Sequence, residues 1–590
     1  MRQWSPRSPM RWTCVFEDID VETGSLSRTT EEMRRMNLLD DPWIPVRIDD
    51  HHTELSGRDA VLRSAEIQQL DVDVPTMLPV LLRQFLLPLV MDAMGAPRSA
   101  AEWQRWMRAF TDGSLLHSDE RLEADGRVRD EWASTRRAAL LGYFTEHHDR
   151  FELFHPVYPF AQVAGLRTAK DDTKSVSLLI PSIASGNNVP LFSGRTGDDP
   201  LPLRPAEAAR WLLHAHCWDT AAIKTGAKGD EQVKGGKTTG NPTGPLGQLG
   251  MVLPVGRTLA ETVVLNLPIL HDGLSEDDRP QWRRAPWTPA WRSAHATGPL
   301  QLLTWQSRRI RLHTADTPDG TRVTSVVVAA GDRLLQTPPF EPHTTWNADQ
   351  KPKSGAPPLR PRRHMSGRSA WRGLDALLAL GEGTTKVVTS GQVELLAEVL
   401  DQDYPLRVLT VGIEYGNQSA VVENVIADSI PLPVAALREI TVRDAIVQIA
   451  EQADRLARAL NMLSADLRRA SGADPLPWDQ GQRPGDRVLH ALDKTTRRAL
   501  AKLQTRYDHD AVDAVRAAWE QVAWRAAFEV AEPLLNNASP RQFAGVTETI
   551  KGKDVTHCSP RAESSFRTNV AQILPLAAAT LRRRNSDPES

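Results

Sequence analysis

The sequence predicts an α+β protein: a large mixed N-terminal globular domain followed by a C-terminal four-helix bundle. Three observations predict it. Short β-like runs alternate with helical pieces as far as about residue 430, the texture changes after "DSIPLPVAAL", and the remainder carries four amphipathic stretches with modest connections. The 590 residues, 41% of them hydrophobic and 25% charged, suit a globular chain with room for about three to four average domains. The boundaries expected are a disordered extension over 1–35, the mixed domain over 36–433, the bundle over 434–585 and a disordered tail over 586–590.

Taken in order, residues 1–35 are polar, without sustained period and without the apolar centre of a secretory signal. Met36 opens a more structured stretch, "MNLLDDPWIPV". Val74–Met94 is strongly apolar, but Arg83, Gln84 and Asp92 interrupt it and three prolines punctuate it. A lipid-facing span rarely keeps such a pair at its middle, so a buried helix with a proline near its start is expected, and no membrane partner. Arg204–Trp218 reads as a helix begun by Pro205, and Thr321–Gln336 as β-structure. Long Pro/Gly-bearing loops at 181–203, 224–250 and 341–368 are of a length that is usually functional or disordered.

In the C-terminal part, Thr441 and Asp444 stand at capping-box spacing and Gly472 closes the stretch. Between them Ile446, Ile449, Ala453, Leu456, Leu460, Leu463 and Leu467 alternate threes and fours, the pattern of a bundle seam. Further helices are expected over 486–507, 510–537 (Val512, Val515, Trp519, Val522, Ala526) and 561–583. No Glu-x-x-His pair and no inward carboxylate is expected on the seam, so the bundle reads as structural or partner-binding.

A net charge of −3 argues against wholesale nucleic-acid coating and confines any polyanion binding to local patches. Cys14, Cys217 and Cys558 are scattered, which fits a reducing cytoplasm and excludes a cysteine zinc site. The sequence has no GxSxG elbow, no HExxH and no paired-Asp nuclease motif. His147, His148 and His155, and His214, His216 and Cys217, lack a second element at metal-ligand spacing, so satisfied surface or core histidines are expected and no metal or cofactor.

Three stretches remain. "KGDEQVKGGKTTGNPTGPLGQLG" belongs to a loop with eight glycines between Gly226 and Gly250, and with Lys224, Lys228, Lys234 and Lys237. It contains the Gly-Lys-Thr that ends a nucleotide P-loop motif, but Glu231 stands where that motif needs glycine. Prolines and glycines also follow where a helix must begin. Either a solvated loop or a flexible cationic segment against a polyanion is left. "QKPKSGAPPLRPRRHMSGRSAWRG" carries Lys351, Lys353, Arg360, Arg362, Arg363, Arg368 and Arg372 with no acid. Its prolines keep it extended, so it either tracks a phosphate backbone or is simply solvated. "VGIEYGNQSAVVENV" offers Gly416 for a sharp turn and Asn417–Gln418 as amides at its tip, which read base edges or wedge against a base pair, or are ordinary turn chemistry.

"MNLLDDPWIPV", "FELFHPVYPFAQV", the 188–260 loop region ending "TLAETVVLNLP", "SAWRG", "GNQ" and the terminal helices follow one another from Met36 to about 583. In that order they resemble the CasA family, the large subunit of the type I-E CRISPR surveillance complex Cascade. The resemblance implies a non-enzymatic subunit that recognises the protospacer-adjacent motif in double-stranded DNA, largely from the minor groove. It implies help in opening the duplex for R-loop formation and docking of the helicase–nuclease. The partners it implies are target DNA and the guide-RNA-bearing subunits CasB, CasC, CasD and CasE. By the same resemblance Gln418 is the wedge with Asn417 beside it, Gly235, Gly236 and Lys237 form the glycine loop, and Asn188 and Phe192 belong to the flexible first loop. The family's lysine finger falls within 321–345, where this chain has no lysine and Arg333 is the nearest cation. A nucleotide-dependent enzyme using the Gly/Lys loop, and a purely structural scaffold, are the alternatives.

Overall fold

Asn37 shapes the first turn of the ordered chain, which the computed structural model describes over residues 35–183, 201–349, 357–379, 386–476, 483–550 and 553–586. Its side-chain oxygen accepts the Leu39 N–H at 2.9 Å, and the Trp43 indole donates to the Leu38 carbonyl at 2.8 Å. Strand Ile44–Ile48 then pairs with His51–Leu55 across Asp49–Asp50, both left-handed (φ 48° and 62°), as a two-residue hairpin of the sheet-matching hand requires.

Behind this hairpin lies the apolar helix Met77–Met94, 83% buried inside the protein. Residues Leu82–Leu86 form a π-helical turn, and Pro88 explains it: lacking an N–H, it leaves the Gln84 carbonyl without its usual donor. Phe85 from this turn packs edge-on against Trp43 at 4.9 Å. Arg83 is 2% exposed and forms a bidentate pair with Glu341 at 2.6 and 2.8 Å. An ion pair so desolvated is costly to break, about 3–5 kcal/mol for loss of one partner.

Two long antiparallel hairpins organise the middle of the chain. Arg308–Thr317 pairs with Gly320–Ala330, and Arg407–Gly416 pairs with Val421–Pro431 on one edge and Met251–Val255 on the other. Helix Pro205–Trp218 starts at Pro205 as expected and is buried along most of its length. One cluster of buried side chains runs from Met36 to Ala577, so mixed region and C-terminal helices share a core. Their join is also polar: Arg497 reaches Asp428 at 2.7 and 2.8 Å, Trp371 donates to Asp493 at 2.8 Å, and Gln504 donates to the Leu406 carbonyl at 2.6 Å.

The C-terminal helices are Ile440–Ala470, Pro484–Thr505, His509–Asn536, Ser559–Ile573 and Pro575–Ser586. All seven seam positions expected between Ile446 and Leu467 are buried. Gly472 (φ 77°) ends the first helix, with Gly472 and Ala473 N–H groups turned back to the Arg469 and Arg468 carbonyls.

Five expectations need correction. The first long helix begins at Ile440 after Glu439, with no side-chain cap, so the Thr441/Asp444 box does not form. The Arg443 guanidinium instead takes up the Ala436 and Leu437 carbonyls of the preceding short helix Ala435–Arg438. The expected 561–583 helix is two helices, because Pro575 supplies no N–H for continuation. An inward carboxylate does line the helices. Glu520 is 1% exposed, accepts from Gln452 at 2.8 Å, and caps the last helix through the Leu576 and Ala577 N–H groups at 2.7 and 3.1 Å. Finally, Val522 is half-buried rather than on the seam, and a hairpin, Val546–Ile550 with Lys553–His557, interrupts the helical series.

Candidate nucleic-acid interface

The 407–431 hairpin ends in a tip that glycine does not make. Asn417, Gln418 and Ser419 are all left-handed, with φ of 40°, 57° and 61°. Gly416 is not; it closes a strand, and a side chain there would collide with the Glu423 carboxylate. The sharp turn expected from Gly416 therefore falls one to three residues later. Left-handed backbone costs a non-glycine residue roughly 1–2 kcal/mol, so this tip is strained and must be held. The holds are visible: the Ala221 N–H donates to the Ser419 carbonyl at 2.8 Å, and the Tyr415 hydroxyl donates to the Trp218 carbonyl at 2.6 Å. Asn417 and Gln418 are left exposed.

The Gly/Lys loop is more ordered than expected. Lys224–Thr225 pairs with Lys237–Thr238, and Lys234 and Lys237 exchange N–H···O bonds at 3.0 and 3.1 Å. Gly235 and Gly236 (φ 58° and 73°) thus form a two-residue hairpin turn. No atom lies within 4 Å of a Cβ built on either, so the dihedral angles demand glycine here, not crowding. Lys234, Gly235, Gly236 and Lys237 are exposed. After Lys237–Thr238 the chain continues to a short 3-10 turn at Pro245–Gln248, without the helix a nucleotide P-loop places after its Lys-Thr.

Arg333 lies beside this loop. Its guanidinium stacks on Trp291 at 3.8 Å and donates to the Thr239 carbonyl at 2.9 Å. Asn241 ties the loop to the segment under the other tip, donating to the Thr238 carbonyl at 2.9 Å and the Ala222 carbonyl at 3.4 Å. Beneath, Asp219 accepts from Lys224 at 2.7 Å and from Arg308, which also bonds the Thr220 and Pro242 carbonyls at 2.9 Å. Burial alone would raise the Asp219 carboxyl; Lys224 and Arg308 outweigh it and hold it down at about 2. Lys224 is therefore a buried structural cation, unlike Lys234 and Lys237.

The basic segment meets the far end of the same loop, through the Gly250 N–H to the Arg362 carbonyl at 3.1 Å and Arg363 to the Gln248 carbonyl at 3.4 Å. Its charges are less free than the acid-free sequence implies. Arg360 faces Asp349 at 3.6 Å, Arg362 faces Asp375 at 3.3 Å, and Arg372 pairs with Asp454 at 2.8 Å. Arg368 donates to the Arg372 carbonyl at 2.6 Å. Arg363 stays exposed, and Arg360 keeps 54% of its side-chain surface. Lys351, Lys353, Asn188 and Phe192 lie outside the described residues.

The structure thus joins Gln418, Asn417, Gly235, Gly236, Lys237 and Arg333 through residues 219–241, with the basic segment at its border. Sequence reasoning missed the Asp219–Arg308 anchor and the Trp291 platform; only the "SRRI" and "WTPAW" runs hinted at them. His214 and His216 lie in the helix beneath the tips. Each is buried and bonded once, to Thr76 and to the Ala161 carbonyl, both at 2.9 Å, and burial holds each imidazole down at about 3.

Known proteins share both the sequence and the fold of this chain. Thermobifida fusca Cse1 is 31% identical, superposes with a TM-score of 0.77, and is covered over its full length by 93% of this chain. The CRISPR-associated protein CasA/Cse1 of Thermus thermophilus is 26% identical over 444 residues, 74% of this chain and 79% of that protein. A chain of a CRISPR RNA-guided surveillance complex shares the fold at 21% identity and a TM-score of 0.65, over 91% of this chain and 99% of that one. The description "CRISPR-associated protein Cse1" fits residues 37–530, most of the sequence, and the chain accordingly belongs to the CRISPR-associated Cse1 family.

Proposed function

We propose that this chain is the non-catalytic large subunit of a cytoplasmic CRISPR RNA-guided surveillance complex. In this reading it recognises the protospacer-adjacent motif of double-stranded DNA from the minor groove and helps open the duplex. The observation that carries it is the exposed Asn417–Gln418 pair on a strained, tethered tip beside a Gly-Gly hairpin flanked by lysines. A tip whose backbone is held suits a wedge, because unstacking costs a few kcal/mol per step and a floppy loop would yield instead of the bases. Gly235 and Gly236 let backbone approach a groove floor closely. Lys234, Lys237 and Arg363 supply salt-dependent phosphate contacts, and Arg333 takes the place of the lysine finger. Minor-groove reading is degenerate, so several related motifs are tolerated.

Guide pairing then carries the opened strand, with CasB, CasC, CasD and CasE as neighbours and the helicase–nuclease arriving last. The long C-terminal helices, from 434 to 585, act as a four-helix bundle domain that supports this face or receives a partner. A gel-shift titration of guide-loaded complex tests the reading, with and without this subunit and with Gln418→Ala, on matched duplexes bearing or lacking a permissive motif. Tight binding confined to motif-bearing targets, and largely lost in Gln418→Ala, is expected. Equal behaviour of all three complexes would return the chain to a scaffold, and tight ATP binding by the isolated chain would favour the enzyme alternative.

A further inference from the structure

A cavity of about 590 Å³ opens behind the Gly/Lys loop, walled by residues of the 277–292 segment with Arg309 and Asp332. Trp291 belongs to both sites: it lines this cavity, while Arg333 stacks on it and its indole donates to Asp230 of the loop at 3.1 Å. Five arginines line the cavity against two acids, Asp277 and Asp332. Asp332 already serves Arg309 at 2.7 Å and the Arg292 N–H at 3.0 Å, and Arg283 is already paired with Asp92 at 2.7 Å. That leaves Arg279, Arg284 and Arg292 facing Asp277.

Two buried donors in the same cavity have no partner among the described residues, the Arg284 Nη2 and the Trp287 Nε1. The acid that most offsets the buried charge of Arg284 is Asp278, and both its oxygens are taken up by the Leu300 and Gln301 N–H groups at 2.9 and 2.8 Å. The Arg292 side chain is exposed and has no ion-pair partner among the described residues. Unmet buried donors cost about 1–3 kcal/mol each, so a ligand with several acceptor oxygens and negative charge is the chemistry the cavity lacks. A duplex holds its bases stacked inward, whereas an extended single strand can lay a phosphate into the cavity and turn the adjoining base against Trp287.

We propose that this Arg/Trp cavity is a phosphate site for single-stranded nucleic acid, continuous with the duplex-reading tips. The proposal rests on the reading above for where the strand originates: an opened duplex supplies it next door. Arg284 and Trp287 bond the phosphate oxygens and Arg292 neutralises its charge.

Fluorescence anisotropy of a short labelled oligo-dT on the full-length chain tests this. Arg292→Glu, at an exposed position, and Arg284→Gln are each expected to weaken binding about tenfold, and to lower its salt dependence. Inorganic phosphate and AMP serve as competitors. Oligo-dT binding unchanged in both variants would overturn the proposal. Full displacement by AMP or phosphate at concentrations matching the oligonucleotide's would make it a small-anion site and also overturn it. Motif discrimination by the guide-loaded complex reads the other proposal separately: it is expected to survive Arg292→Glu. Its insensitivity to Gln418→Ala would sink the wedge while leaving the single-strand result standing.

Discussion

Two turns project from one neighbourhood and are built by opposite means. At 235–236 the left-handed backbone is carried by two glycines, which adopt it without penalty. At 417–419 it is carried by Asn, Gln and Ser, which resist it. The difference follows what each tip exposes. The first offers bare backbone between two lysines; the second offers side-chain amides, which glycine does not possess. Strain is accepted at the tip that carries side chains, and anchoring by Ala221 and Tyr415 makes it bearable.

The strongest way to break this arrangement is to remove the anchor common to both tips. Asp219→Ala leaves Lys224 and Arg308 facing each other without their acid, and a loss of about 3–5 kcal/mol is expected. Urea denaturation reads the loss, and hydrogen exchange should rise in 221–241 and 417–420 together. Faster exchange in only one tip would show that the two are held independently.

Acid should act next most strongly, through the helix beneath them. His214 and His216 have folded pKa values of about 3, below the ordinary 6.5, so the unfolded chain binds protons that the folded chain refuses. Stability contributed by their neutrality is complete above pH 6.5 and falls as pH drops toward 3. Two such groups predict a loss of roughly 2–3 kcal/mol between pH 6.5 and 5.5. Asp219 acts in the same direction but lower on the pH scale: its depressed value of about 2 keeps its contribution intact until pH falls below about 4. Melting curves at pH 7, 6 and 5 should fall in the wild type and flatten in His214→Gln.

Exchanging the two turn chemistries sharpens the contrast. Gln418→Gly should raise stability by about 1 kcal/mol while abolishing motif discrimination, and Gly236→Ala should lower stability by about 1 kcal/mol. The same sign for both would mean the 417–419 tip is not strained. The smallest effect belongs to the paired arginines of the basic segment. Arg362→Ala, facing Asp375, should shift DNA affinity by less than about 0.5 kcal/mol, against about 1 kcal/mol or more for exposed Arg363→Ala. Salt-dependent titration separates them.

What the sequence disclosed followed the range of the interaction. The seam from Ile446 to Leu467 and the start at Pro205 are local patterns, and both hold. The ordered motif series placed the chain in its family, and Gln418, Gly235 and Gly236, the positions proposed as wedge and glycine loop, fall on exposed tips. What escaped depends on residues far apart in the chain. Arg372 meets Asp454 82 positions away, and Glu520 caps a helix 56 positions later. Arg308 finds Asp219 89 positions back. No periodicity reports such partners, and composition alone made the basic segment look freer than it is. The Gly-Gly turn was legible as glycine but not as a hairpin, because a single Lys234–Lys237 bridge closes it.

The Arg83–Glu341 pair has a consequence in time. Helix Met77–Met94 leaves the ribosome with an arginine that must be buried, yet its carboxylate is encoded 258 residues later. At about 5–20 residues per second, roughly 13–50 s pass before that acid exists. During translation this strongly apolar helix therefore cannot reach its final seat. The nascent N-terminal half is a natural client for chaperones, and truncation before residue 341 should yield aggregate rather than a folded fragment.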